Sequence, residues 1–255
     1  MLRMLVGSCF MLLFTAAHAF AHFGMVIPSE STVEDKEKAA VSLEFSFSHP
    51  MEMVGMTLEK PARAQVFMDG KAEDLSASLK PAKIMEHDAW KAEYTVKKPG
   101  VYQVVMEPTP YWEPAEDCFI VHYTKTYIAA FGEEEGWDEP AGVKTEIVPL
   151  TRPFGNYAGN VFSGRVLVDG KPAPGVLVEV EYYNRDKKYK APNDYMVTQS
   201  VMTDENGVFV YGVPFAGWWG FAALSASDLK MKHEGADKDV ELGAVLWTEF
   251  IAPQR

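Results

Sequence analysis

The chain has 255 residues, 47% hydrophobic and 24% charged, with a formal net charge of −12. That balance suits a folded globular protein and opposes binding to nucleic acid, whose phosphates repel an acidic surface. Of its two cysteines, Cys9 lies in the first 21 residues and Cys118 stands alone beyond them, so the cores must hold by packing and sheet hydrogen bonds rather than by an internal disulfide.

Residues 1–21 read as an export signal. Arg3 supplies the positive start, Met4 to Ala17 the apolar run, and Ala17-His18-Ala19-Phe20-Ala21 two overlapping small-x-small cut sites. Cleavage after Ala21 makes His22 the first residue, where α-amine and imidazole can chelate a soft or borderline cation. Cleavage after Ala19 leaves Phe20-Ala21-His22, an amine-x-His terminus suited to square-planar Ni(II) or Cu(II). The signal implies export, expected to the periplasm, and since no later apolar run reaches membrane-spanning length, the mature chain is expected to be soluble or only peripherally attached.

Beyond the signal the chain shows short alternating or β-branched and aromatic runs and lacks long stretches of helical period. Strands are predicted over 41–47, 64–68, 90–96, 101–106 and 118–129, with Lys97-Lys98-Pro99-Gly100 as a turn able to join two antiparallel strands. The acidic Glu133-Glu134-Glu135 cluster reads as a solvated loop. Pro149, Arg152-Pro153 and Gly155 then mark a boundary. Further strands follow over 161–168, 176–182, 208–211, 218–223 and 244–251, separated by Pro/Gly-rich turns at 169–175 and 203–207. The expected architecture is all-β: an Ig-like β-sandwich over 22–148, a linker over 149–158 and a second sandwich over 159–255.

His49-Pro50-Met51-Glu52-Met53-Val54-Gly55-Met56 concentrates one imidazole and three thioethers. Thioethers suit Cu(I), whereas imidazole and carboxylate accept Ni(II), Co(II) or Zn(II); the methionines are equally suited to filling a core. A strand should end at Ser48, because Pro50 cannot donate a ladder bond, and an extended continuation would set Met51 and Met53 on one side with His49. Cys118 and His122 share a strand face but lie about 13 Å apart, too far to ligate one ion without partners. Cys118 reads as a buried inert thiol, and His87 and His233, flanked by carboxylates, as surface histidines. No nucleophile elbow, zincin helix, phosphate-binding loop or Cys-x-x-Cys is present, and no enzyme activity is expected.

Longer phrases add a resemblance. His22-Phe23-Gly24-Met25-Val26-Ile27-Pro28-Ser29, Ser48-His49-Pro50-Met51-Glu52, Lys60-Pro61, the stretch from Pro110-Tyr111-Trp112-Glu113 through Asp117-Cys118 to His122-Tyr123-Thr124-Lys125, Glu146-Ile147-Val148-Pro149-Leu150-Thr151-Arg152-Pro153 and Gly217-Trp218-Trp219-Gly220-Phe221 together resemble an exported, uncharacterised-domain family of the DUF4198 type. Its members are labelled as periplasmic components of nickel or cobalt uptake systems. The order of the second half, a strand with Gly164-Arg165-Val166, the turn Gly170-Lys171-Pro172-Ala173-Pro174-Gly175, a Val-x-Val strand over 176–182 and the hairpin Thr203-Asp204-Glu205-Asn206-Gly207-Val208-Phe209, also resembles transthyretin-like or carboxypeptidase-regulatory-like modules, small seven-stranded Greek-key sandwiches. The resemblance implies capture of Ni(II) or Co(II) outside the cytoplasmic membrane and presentation to a membrane permease, an energy-coupled importer. It points to His22 and His49 as ligands, with His122 third and Met51 behind them. Copper handling in the periplasm, favoured by the methionines and an N-terminal histidine chelate, is the alternative metal role. A structural or recognition module using Tyr111-Trp112 or Trp218-Trp219 is the non-metal alternative.

Overall fold

Residues 22–253 are described by the computed structural model; the export signal expected over 1–21, with its cut sites, lies outside them. The fold is all-β, with two one-turn 3-10 helices at Lys36–Lys38 and Asp194–Met196 among the described residues. Three sheets form. A five-stranded sheet runs Phe23–Pro28, Ala40–His49, His87–Thr95, Lys80–Ile84, with Val54–Met56 added beside Ala40–His49. A four-stranded sheet holds Thr145–Pro149, Val161–Val168, Lys171–Pro172 and Val208–Gly212.

Between them runs an eleven-stranded sheet that serves both halves of the chain. Its centre is a parallel pairing of Cys118–Ala130 with Ala236–Ile251, from Cys118 opposite Asp239 to Thr126 opposite Trp247. Because side chains alternate along a strand, Cys118–Ala130 feeds two cores at once. Ile120, Ile128 and Ala130 join Phe45, Tyr102 and Val104 beneath the five-stranded sheet. Tyr127 and Ala129 join Phe162, Val180, Phe221 and Leu246 beneath the four-stranded sheet on the opposite face. Two β-sandwiches therefore result, sharing one wall. Thr145–Pro149, read from sequence as the end of the first half and the start of a linker, pairs with Val161–Val168 in the outer sheet of the second sandwich.

The turn at 97–100 does not close a hairpin. His87–Thr95 pairs with Ala40–His49 and Lys80–Ile84, whereas Gly100–Glu107 pairs with Arg63–Met68 and Cys118–Ala130. The turn crosses from one sheet to the other, which lets Tyr94 and Tyr102 meet edge to face in the core at 5.9 Å. The predicted strands over 218–223 and 244–251 are the inner parts of a longer antiparallel hairpin, Gly217–His233 with Ala236–Ile251. Its outer half is polar and held by cross-strand charge pairs such as Lys232 with Asp237 at 2.8 Å, so it carries no hydrophobic alternation to read.

Two buried anchors fix the geometry around the site. Trp247, fully buried, donates its indole N–H to the Gly24 carbonyl at 2.8 Å and so ties Phe23–Pro28 to the long sheet. Lys125, on the second face, places its ammonium 2.7 Å from Glu146, whose carboxylate also accepts the N–H groups of Ala141 and Gly142. Burial pushes the Lys125 pKa down, and the Glu146 charge opposes that shift.

Candidate functional site

Phe23–Pro28 pairs antiparallel with Ala40–His49, Phe23 facing Ser48. One step outward along that ladder sets His22 beside His49, and their ring centroids lie 4.8 Å apart. His22 Nε2 is 3.1 Å from Glu113 Oε2. Glu113 ends the short strand Tyr111–Glu113, whose pairing with Cys118–Ala130 brings its carboxylate to His22. Phe47 stacks on His22 at 5.7 Å and meets His122 edge-on at 5.7 Å, forming an apolar partition between the outer and inner histidines.

His122 is held inside by the absence of two side chains. Gly243 lies opposite it across the parallel pairing, and a Cβ there would stand 2.5 Å from Nε2. A Cβ on Gly24 would stand 3.1 Å from His122 Cβ. The imidazole is 1% exposed, and neither ring nitrogen makes a hydrogen bond. Its Nε2 lies 3.5 Å from Glu241 Oε1, at the outer limit for such a bond. A cavity of about 20 Å³, large enough for one water-sized species, borders it with Gly24, Phe47 and Tyr111.

The electrostatics are those of crowded acceptors. Burial first, then the charges of His49 and His122, push the His22 pKa down to about 4 against the pull of Glu113. His22 is thus a neutral base at ordinary pH. Burial would raise the Glu241 carboxyl, but the adjacent His122 and the charge of His22 outweigh it and hold Glu241 below its ordinary value. Glu179 is pushed up to about 7 by burial, then by Glu241 and Glu116, and its Oε2 is buried without a partner. Glu116 is raised by burial, then by Glu241 and Glu113. Among the described residues none of these four carboxylates pairs with a lysine or arginine. No three His, Cys, Asp or Glu side chains among the described residues are already gathered to hold a metal ion.

The other sequence candidates fall elsewhere. The strand runs through His49, and the chain then turns over residues 50–53 with Met53 at φ +59°, so the extended continuation aligning His49, Met51 and Met53 does not form. Met51 donates its N–H to Glu181 and lines a different cavity, with Tyr182 and Trp219. Met53 packs with Phe23, Met25 and Trp247, and Met56 against the first core. Cys118 is half-buried, its thiol pushed up to about 11 by burial and by Glu116, so it stays protonated. His87 is exposed, but His233 is half-buried and stacks on Trp112 at 3.8 Å. Trp219 is buried and Tyr111 packs on Phe47.

Glu113, Glu116, Glu179 and Glu241 were not singled out from sequence. Three segments more than sixty residues apart carry them, and only the strand pairings bring them to one face.

The model of a family described as a domain of unknown function, DUF4198, matches residues 19–227. No curated protein matches the chain. Solved structures with some likeness include the D0–D1 domain of intimin, 10% identical over 91% of this chain and 100% of that one, with a TM-score of 0.24. The adhesin InvE of Yersinia pseudotuberculosis is 12% identical over 87% of this chain and 58% of its own, with a TM-score of 0.25. Trypsin-activated α2-macroglobulin of Escherichia coli is 9% identical over 91% of this chain and 16% of its own, with a TM-score of 0.28. At these scores the likenesses carry no argument about function.

Proposed function

The chain belongs to the DUF4198 family, and for this member we propose a non-catalytic role: binding a divalent transition cation, Ni(II) or Co(II), outside the cytoplasmic membrane for transfer to a membrane permease. The observation that carries the reading is the convergence of His22 on His49 and Glu113, with His122 and Glu241 paired just behind Phe47. Imidazole nitrogens and carboxylate oxygens, with no lysine or arginine paired to those carboxylates among the described residues, form a donor set for a borderline cation. His22 adds to this by staying neutral, and only a neutral imidazole ligates.

The arrangement favours nitrogen-preferring ions over Cu(I). Met51, Met53 and Met56 each pack away in separate surroundings, so these three form no thioether cluster beside the histidines. In this reading the ion is held by His22, His49 and Glu113, and the amine freed by cleavage after Ala21 completes the set.

Isothermal titration of the exported chain with Ni(II) and Co(II) tests this. One ion per chain is expected, with His22→Ala and His49→Ala each weakening affinity about tenfold or more and His87→Ala leaving it unchanged. No binding at micromolar metal, or equal affinity in all three variants, refutes the site.

A further inference from the structure

We infer that a cavity at the open end of the second sandwich, beneath the loop of residues 184–198, seats one large apolar side chain from an extended, acidic segment of a partner polypeptide. The cavity measures about 320 Å³, and none of His22, His49, Glu113 and His122 lines it. Tyr182, Tyr189, Phe215 and Trp219 wall it. Their rings contact one another at steep angles: Tyr182 to Tyr189 at 5.4 Å and 83°, Tyr182 to Phe215 at 4.9 Å and 68°, Phe215 to Trp219 at 5.0 Å and 59°. Such mutual edge-to-face packing makes a fixed wall. The Trp219 indole N–H is already spent on the Phe215 carbonyl at 3.0 Å, so that wall offers an apolar surface.

The loop that roofs the cavity is pinned in place. Asn184 donates its backbone N–H to Pro50 and its side-chain amide to Met51 and Tyr189, while accepting the Tyr189 N–H. The hollow is thereby pre-formed, which lowers the cost of filling it. Its volume lies at the low end for ligand cavities and matches one large side chain better than a whole cofactor.

Two features at the rim of the cavity identify what carries that side chain. Gln199, which lines the cavity, begins the strand Gln199–Met202, a terminal strand of the eleven-stranded sheet. A terminal strand presents backbone donors and acceptors on its outer side, and an extended peptide satisfies them by adding a strand. The roofing loop also carries Lys187, Lys188 and Lys190, all exposed, on a chain whose net charge is −12. That local reversal of sign complements acidic residues flanking the anchor. A small apolar molecule would use the hollow alone and leave both features idle.

Fluorescence anisotropy with the full chain tests the assignment, using three labelled heptapeptides: a central Trp with Asp/Glu flanks, the same with Lys flanks, and the acidic peptide with Gly for Trp. The acidic Trp peptide is expected to bind about tenfold or more tighter than either control, and to weaken as salt rises from about 0.05 to about 0.5 M. Reversing Lys187, Lys188 and Lys190 to Glu, and separately filling the cavity by Ala191→Trp, should each remove that preference while thermal melting stays unchanged. Equal binding of the three peptides, or none at millimolar concentration, overturns the proposal. Full displacement of the acidic Trp peptide by naphthalene sulfonate alone would reassign the cavity to a small anionic molecule. Self-association that the lysine reversals abolish, seen by light scattering, would reassign it to a second copy.

Discussion

Replacing Gly243 by Ala isolates the packing that places His122. Gly243 sits in an extended strand and has no positive φ, so its backbone accepts alanine without strain. On entropy alone the substitution would stabilise by about 0.4–1 kcal/mol, because it narrows the unfolded ensemble. Here the added methyl would stand 2.5 Å from Nε2 and 2.7 Å from Cγ of His122. Apart from the bordering cavity of about 20 Å³, the ring has nowhere to retreat, since the Gly24 strand and Phe47 close its other sides. Overpacking of this kind costs about 1–3 kcal/mol and outweighs the entropic gain. For a chain of this size a loss of about 1–2 kcal/mol lowers the melting temperature by about 2–8 °C, measurable by circular dichroism. His122→Ala combined with Gly243→Ala removes both clashing partners, and the double variant should be less destabilised than the sum of the singles by about 1 kcal/mol or more. A Gly243→Ala protein as stable as the parent, or additive single and double variants, would refute the placement of the imidazole.

The remaining predictions concern buried charge. Glu146→Ala strands the Lys125 ammonium and should cost about 3–5 kcal/mol in urea unfolding, whereas replacing both residues by apolar ones of similar volume should recover most of it. His22, with a folded pKa of about 4 against an ordinary 6.5, binds fewer protons folded than unfolded in that interval. Metal-free stability should therefore be complete above pH 6.5 and fall as pH drops toward 4, by up to about 3 kcal/mol from this residue, and His22→Gln should flatten the profile. Glu179 has the opposite sign: raised to about 7, it holds its proton longer when folded, so its contribution is lost as pH rises from about 4.5 through 7. Glu179→Gln should accordingly stabilise the chain at pH 8 and have little effect at pH 4.5, as read by chemical denaturation at the two pH values.

Strand positions were largely legible in the one-dimensional pattern, because alternation reflects a single local cause, one face buried and one exposed. The expected 41–47 and 118–129 became Ala40–His49 and Cys118–Ala130, and 161–168 coincides with Val161–Val168. Turn chemistry was legible too, but not what each turn joins. A Lys-Lys-Pro-Gly bend has the same backbone preferences whether it closes a hairpin or carries the chain across a sandwich, and burial of Tyr94 against Tyr102 decided for crossing. His22 and His49 were legible as candidate ligands from their residue type and local setting. Their adjacency, the carboxylate of Glu113 above them and the unpartnered ring of His122 below came from strand register, and most of all from the parallel pairing of residues 118–126 with 239–247. Pairing between segments so far apart is chosen by the whole core at once, and no local stretch of sequence records it.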